Sequence, residues 1–453
     1  MREPALPPGP RYGAALTTIG WFTRPGPLML RARERYGDVF TLRIAHEGPW
    51  VVVADPDAVK QIFTGDPRLL HAGEGNVILK PMLGSNSVLL LDEAPHMRQR
   101  KLMLPPFHGE RMKAYAATMR EVTERQVASW PVGEPFALWP RMQAITLEVI
   151  VRTVFGVERA GDTERLRKVL EKAIDWGTDP LTAAGLFLFG PEHPLTVRVS
   201  RHKLAEVDQV VFEEIARRRS DGNLESREDI LSLLLQARHE DGSAMSDEEL
   251  RDELMTLLVA GHETTATALA WTMERVVRHP HVLERLNADP GDDEYVDAIV
   301  KESLRLRPIL PIVARRLQEP MEIAGHLIPA GATLAPCIWL MHRRADVYPE
   351  PERFRPERFL EQPAGTYTWI PFGGGVRRCL GASFALFEMQ TVISAIARLV
   401  VMSPASPASE KVRRRAITLV PEKGARVVSR RREGGRQEGG IAGKKAEGGR
   451  VAV

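Results

Sequence analysis

Cysteine is scarce: only Cys337 and Cys379 occur in 453 residues. Two cysteines cannot build a disulfide framework, and such sparing use fits a reducing cytosol. Long apolar runs are missing as well. No stretch approaches the roughly 18 consecutive apolar residues of a membrane span. Residues Met1 to Arg11 are proline-rich and lack the apolar core of a secretion signal. These absences predict a cytoplasmic chain without a membrane span. A strong charge of one sign is also lacking. The net charge is +3, but residues 429–453 carry seven basic and three acidic groups, so that tail is +4 and the body before it is −1. A nearly neutral body gives no charge argument for nucleic acid as a partner. Residues 429–453 have almost nothing to bury and read as a disordered, basic, glycine-rich tail or an electrostatic tether.

What is present is a large apolar fraction, 43%, enough for an extensive core. Within it, one stretch concentrates unusual chemistry: Phe372-Gly373-Gly374-Gly375-Val376-Arg377-Arg378-Cys379-Leu380-Gly381. Glycines admit positive φ and let the backbone approach a flat ligand. Arg377 and Arg378 favour a thiolate at Cys379. The run from Ala382 to Met389 reads as a helix start, whose free N–H groups also favour an anion at that sulfur. A thiolate at the mouth of a helix is the ligand that haem iron uses for O–O cleavage.

A second stretch lies on a long helix. Ser246-Asp247-Glu248-Glu249 is a capping box, and no proline follows until His279-Pro280, about 32 residues or about 48 Å away. Ala260-Gly261-His262-Glu263-Thr264-Thr265 falls near its middle, where glycine and paired threonines predict a local helix defect. Elsewhere, His96 and Arg100 are four apart on one helical face, either as a ligand-facing pair or as part of a solvated basic helix. Glu302 and Arg305, three apart, close a helix before Arg307-Pro308. Residues 39–44 and 50–54 read as a strand pair around Glu47-Gly48-Pro49, and Asp55-Pro56 starts a helix through about Phe63. Met321 to Gly331 reads as a hairpin. His342, in a probable helical turn, reads as structural.

The stretch around Cys379 resembles the cysteine-ligand loop of the cytochrome P450 family: Phe372, Gly375, Arg377, Cys379 and Gly381 occupy all five fixed places. Ala260, Gly261, Glu263 and Thr264 match the family's run on its long helix. Glu302 and Arg305 match Glu-x-x-Arg, and Pro356-Glu357-Arg358-Phe359 supplies a third member, Arg358. The resemblance spans roughly residues 25–428. It implies one mainly α domain with a smaller β-rich side, preceded by a proline-rich segment 1–24 and followed by the tail 429–453. It implies haem b (iron protoporphyrin IX) with Cys379 as the iron ligand. Phe372, Arg377, Gly381 and Ala385 then lie against the cofactor, and His96, Arg100 and Arg315 (Arg316 being the alternative) meet the propionates. Glu302, Arg305 and Arg358 become a buried folding triad.

The resemblance also implies oxygen-dependent monooxygenation. Cleaving O2 requires protons at its outer atom. Thr264 can hydrogen-bond oxygen and hold a water, Glu263 can relay protons from solvent, and Ala260 and Gly261 leave room. Val77, Ile78, Leu83, Leu310, Ile312 and Val313 become pocket residues, and Leu181 to Gly190 becomes either an apolar roof or ordinary core. These stretches predict a lipid-like substrate such as a fatty acid, terpene or steroid. One catalytic domain fills the length, so electrons are expected from an external ferredoxin with its reductase, or a flavodoxin. Arg377, Arg378 and Lys101 are candidates for the docking face. A monomer is the simplest expectation. Two other classes share the cysteine loop: a haem-thiolate enzyme that uses peroxide or rearranges its substrate, and a non-catalytic haem sensor. Glu263-Thr264 argues against the first, and the proton-relay pair and the roof argue against the second.

Overall fold

Val39–Ile44 (β1) and Gly48–Val53 (β2) form the predicted antiparallel pair, with Val39 opposite Val53. Asp55 then caps the helix Pro56–Thr64 by accepting the Ala58 N–H at 2.8 Å. These elements belong to a computed structural model that describes residues 3–45, 47–107, 111–156, 160–179, 182, 185–186 and 189–432. The architecture is mainly α with a smaller β-rich side.

The remaining strands are β3 (Leu70–His71), β4 (Pro135–Ala137), β5 (Arg315–Leu317), β6 (Met321–Ile323), β7 (His326–Ile328), β8 (Thr333–Pro336), β9 (Val400–Pro404), β10 (Val412–Arg415), β11 (Thr418–Pro421) and β12 (Arg426–Arg431). The main sheet has the order β1-β2-β8-β5-β3, with β2 and β8 parallel. The hairpin β6–β7 turns at Ala324 and Gly325, both at positive φ, as a two-residue turn between twisted strands requires. A three-stranded sheet, β4-β12-β9, and the hairpin β10–β11 lie outside the main sheet.

Both ends of the chain depart from the predicted boundaries. Residues 5–24 of the predicted N-terminal segment 1–24 are not separate from the domain. Ala14–Thr23 is a helix with Trp21 buried in the core, and the backbone before it bonds to Leu327 and Thr41. At the other end, β12 pairs with β9 as far as Arg431, so the ordered chain passes the expected boundary at 428. Ser429 reads as polar in sequence, but its hydroxyl is buried on the Pro131 carbonyl. The rest of the tail, from 433, lies outside the described residues.

The central helix is Asp247–Val276. Its capping box forms as predicted, with Ser246 and Glu249 exchanging side chain–backbone bonds. The helix is uninterrupted through 260–265, so the expected defect is absent. Thr264 instead satisfies its hydroxyl on the Ala260 carbonyl one turn back, at 2.6 Å. The helix packs most extensively on Leu138–Phe155. Ala382–Leu399, which follows the cysteine loop, is long and apolar enough to cross a membrane, but it lies packed against Arg111–Ala128 and Asp293–Leu306.

Glu302 and Arg305 are fully buried on the helix Asp293–Leu306. Arg305 grips both carboxylate oxygens at 2.7 and 2.9 Å, and Arg358 adds a bond at 3.1 Å. The Arg355 N–H completes the shell, while Arg305 also ties down the carbonyls of His342, Pro351 and Arg353. His342 accepts from the Ile370 N–H through Nε2 and so donates from Nδ1 to the Arg305 carbonyl. It is neutral, because burial and the nearby guanidiniums push its pKa well down. Glu302→Gln is expected to cost about 3–5 kcal/mol, because it leaves buried cations uncompensated. A loss under about 1 kcal/mol by chemical denaturation would contradict this account.

Glu253 on the central helix is also fully buried, accepting the Val88 N–H at 2.8 Å, and burial pushes its pKa up to about 8. A raised carboxyl keeps its proton in the fold while the unfolded chain loses it. The stability it contributes is therefore complete below about pH 4.5 and is lost as pH rises through about 8. Glu253→Gln should flatten that decline, which denaturation midpoints at pH 5 and pH 8.5 would reveal. Parallel pH profiles for the two proteins would refute it.

Candidate active site

Cys379 sits just before the helix Ala382–Leu399, in a loop that only glycine permits. A Cβ on Gly374 would lie 2.2 Å from the Phe63 ring, and one on Gly375 would lie 1.9 Å from the Phe63 carbonyl oxygen. Gly375 is also at φ +65°. The bare backbone therefore rests on the helix Pro56–Thr64. The loop closes through the Cys379 N–H, which donates to the Phe372 carbonyl at 3.0 Å, while Phe372 packs edge-on against Trp369. Gly381 and Ala385 continue the turn, the Ala385 N–H bonding the Gly381 carbonyl.

The Cys379 side chain keeps accessible surface although protein groups crowd closely around it. Burial pushes its pKa up, and the Gly381 N–H, Arg100 and Arg378 pull the other way without prevailing. The expectation that neighbouring arginines favour a thiolate is thus corrected: desolvation outweighs them. A metal cation at the sulfur would remove the proton outright.

Arg377 departs further from expectation. It turns inward, pairs with Asp92 and donates to the carbonyls of Val88 and Leu91. It belongs to the interior and not to a docking face. Arg378 is exposed, and Lys101 is exposed but engaged by Glu240 at 2.6 Å.

His96, Arg100 and Arg315 come together with Arg377. Burial and the fields of Arg377, Arg100 and Arg315 lower the His96 pKa to about 3, so His96 is a neutral donor. Arg100 donates to the Arg378 carbonyl at 2.7 Å. Arg315 is buried, donates only to its neighbour's carbonyl, Ala314, and lies over the Phe63 ring. Among the described residues it has no carboxylate within ion-pair distance. Arg316 points the other way along β5, to the Glu47 carbonyl and Thr333. Asp92 pairs with Arg377, so Arg100 and Arg315, each without a carboxylate in ion-pair distance among the described residues, are left as two positive charges for a dicarboxylate ligand to neutralise.

The central helix is buried along most of its length, but Ala260 is exposed and Gly261 and Thr264 are half-exposed, which opens one face at its middle. Gly261 serves a different purpose from the one predicted. A Cβ there would come 3.1 Å from Ile150 Cδ1, so the glycine permits close helix packing and does not itself clear room above a ligand. Glu263 is buried against the hairpin β10–β11, with Thr418 donating at 3.5 Å and Arg415 in ion-pair contact at 3.9 Å. Burial raises its pKa against the pull of Arg415. Arg415 also reaches exposed Asp175 at 3.4 Å, connecting Glu263 to the surface.

Of the predicted pocket residues, Val77 is exposed and Ile78, Leu310, Ile312 and Val313 are half-buried. Leu310 and Val313 pack on one core cluster and Ile312 on another. Leu83 is only 1% exposed and offers no surface to a ligand, which corrects its assignment. Of the expected roof, 181, 183, 184, 187 and 188 lie outside the described residues, and Phe189 is exposed. The sequence reading missed Asp92, Phe63 and Arg415. Asp92 precedes the helix Glu93–Met103 without capping it, its carboxylate accepting from the Gly73 and Glu74 N–H groups instead; nothing in Arg413-Arg414-Arg415 singles out the one that meets Glu263.

These residues fit a haem. Among the described residues no cluster of three or more His, Cys, Asp or Glu could hold a metal, so a lone thiolate suits a metal whose other ligands come from a porphyrin. The excess of two positive charges suits its two propionates.

The comparisons agree. The Cytochrome P450 family model matches residues 4–424. The chain is 41% identical over 433 residues to "Putative cytochrome P450 135B1" of Mycobacterium tuberculosis, covering 93% of this chain and 91% of that protein. It is 37% identical to "Putative cytochrome P450 137" of the same organism, covering 91% and 87%. Among solved structures, the haem domain of cytochrome P450DA superposes with a TM-score of 0.82 at 25% identity, covering 95% of this chain and 99% of that one. Retinoic acid-bound cyanobacterial CYP120A1 shares the fold, with a TM-score of 0.79 at 23% identity, covering 94% and 100%. With the cysteine in its glycine-built loop, its cationic surround and a family match over nearly the whole length, the chain belongs to the cytochrome P450 family.

Proposed function

We propose that the protein is a haem-thiolate monooxygenase that inserts one atom of O2 into an apolar, lipid-like small molecule, with electrons from a separate ferredoxin or flavodoxin system. The observation that carries this reading is the meeting of three features: an accessible Cys379 thiol in its glycine-built loop, two nearby guanidiniums, Arg100 and Arg315, with no carboxylate in ion-pair distance among the described residues, and the open face of the central helix at Ala260 and Thr264. Haem b would supply the iron at which oxygen is reduced and cleaved.

The chain's residues have distinct tasks in this reading. Cys379 holds the group, and Arg100, Arg315 and His96 orient its propionates as two cations and a neutral donor. The Thr264 hydroxyl gives its proton to the Ala260 carbonyl, so its lone pairs are free to hold a water in the cavity. Glu263, with its raised pKa, carries a proton closer to neutral pH than an ordinary carboxylate does, and Arg415 and Asp175 lead from it to solvent. One residue of helix, about 100°, separates Glu263 from Thr264; water or a rotation of the Glu263 side chain spans that gap. The half-buried apolar residues Ile78, Leu310 and Val313 support an apolar substrate. Exposed Arg378, next to Cys379 in the chain, supports an acidic electron donor.

Reduced protein under carbon monoxide should show a strongly red-shifted Soret band that Cys379→Ser abolishes. A histidine-type band, or no haem at all, would overturn the reading. With a surrogate ferredoxin chain, Thr264→Ala should keep consuming O2 while product falls about ten- to a hundredfold and hydrogen peroxide takes its place. Unchanged product yield would remove Thr264 from proton delivery.

A further inference from the structure

Neither His262 nor Thr146 has a part in the chemistry described above, yet both are buried, at 3% and 1% exposure, in the interface between the central helix and Leu138–Phe155. His262 Nδ1 lies 2.9 Å from Thr146 Oγ1, which in turn lies 3.2 Å from the His262 carbonyl oxygen. With the hydroxyl proton donated to that carbonyl, the ring donates from Nδ1. Burial and the field of Arg415 hold the His262 pKa down at about 4, so the ring is neutral and carries a single N–H. Two further contacts flank this pair. Trp139 Nε1–H donates to Thr267 Oγ1 at 3.1 Å, and Gly261 abuts Ile150.

Apolar helix interfaces tolerate sliding because one aliphatic contact resembles the next. Polar pairs do not. A slip of one residue moves a helix about 1.5 Å along its axis and swings each side chain by about 100°. Here it would leave the buried imidazole N–H without its partner and break both contacts of the Thr146 hydroxyl to His262, leaving that hydroxyl only its long bond to the Gln143 carbonyl at 3.4 Å. The gripped positions, 261, 262 and 267, bracket Glu263 and Thr264.

We propose that Thr146 and His262 form a register clamp that fixes where Glu263 and Thr264 present their oxygens, which makes them positioning residues for proton delivery. The inference rests on the monooxygenase reading and deepens it. Neither residue needs to touch substrate or haem.

The test compares Thr146→Val, which keeps the shape and loses both bonds, with Thr146→Ser, which keeps the hydroxyl. His262→Phe is paired in the same way with His262→Asn, whose amide can occupy the Nδ1 position. Three quantities are measured on haem-loaded protein: the reduced carbon monoxide spectrum, deuterium exchange of peptides spanning 258–268, and the share of consumed O2 released as hydrogen peroxide with a surrogate ferredoxin chain. Thr146→Val and His262→Phe should keep the wild-type spectrum, exchange at least about threefold faster across 258–268, and release at least about threefold more peroxide. Thr146→Ser and His262→Asn should match wild type in all three.

Faster exchange with an unchanged peroxide share would reduce the pair to a structural contact and overturn the proposal. So would Thr146→Ser behaving like Thr146→Val. Should Thr146→Val not fold, the His262 pair decides by the same criteria. Failure of the monooxygenase reading is distinguishable, because it shows in the wild-type carbon monoxide spectrum before any variant is compared.

Discussion

The Cys379 loop can exist only because Gly374 and Gly375 lie directly on Phe63. Any side chain at either position would enter the phenyl ring or the Phe63 carbonyl. That contact seats the loop on the helix Pro56–Thr64, brings Arg377 inward to Asp92, and leaves the thiol with accessible surface. Asp92 also caps the turn at Gly73 and Glu74. One carboxylate thus joins the cysteine loop to the segment that leads into Val77 and Ile78. The segment from Asn86 to Leu91 is held from the other side by Asp252, Glu253 and Thr256 of the central helix. The two halves of the site, cysteine loop and central helix, are therefore coupled through a short stretch of chain between them.

Burial sets the electrostatics throughout. It raises Cys379 despite two arginines, raises Glu263 despite Arg415, and keeps His96, His262 and His342 neutral. Counting charges along the sequence gives the wrong sign for the thiol, because desolvation scales with enclosure, which sequence does not encode locally. The cation cluster stands against the same penalty. Burying Arg315 without a carboxylate is costly in the protein alone, and a bound dicarboxylate would lift much of that cost. Folding stability and cofactor affinity are linked at this point, since a ligand that binds only the folded state stabilises it.

What was legible in the sequence is chemistry held by short-range rules. The capping box at Ser246, the Asp55 cap, the β1–β2 pair and the cysteine loop follow from residues within a few positions of one another. Glu302, Arg305 and Arg358 were assigned through the family resemblance, and the structure joins them. What was not legible depends on direction in three dimensions. Gly261 was read as facing a ligand, but it faces Ile150; Arg377 was read as facing a partner, but it faces Asp92. Leu83 was counted as pocket lining because it is apolar, and it is buried away from any opening. The chain past 428 was read as tail from its charge, although alternate residues of β12 pair and bury. In each case composition was correct and orientation was set by a distant element.

That division explains why the residues next to the family motif carry information the motif omits. The motif names Ala260, Gly261, Glu263 and Thr264 and leaves position 262 open. In this chain the open position holds a histidine that reaches a threonine 116 residues earlier. A motif fixes which groups do chemistry, but a helix as long as Asp247–Val276 has to be told where along its axis those groups stop. Apolar packing leaves that choice nearly degenerate. Polar pairs across the interface, Thr146–His262 and Trp139–Thr267, remove the degeneracy, because a neighbouring register breaks their contacts.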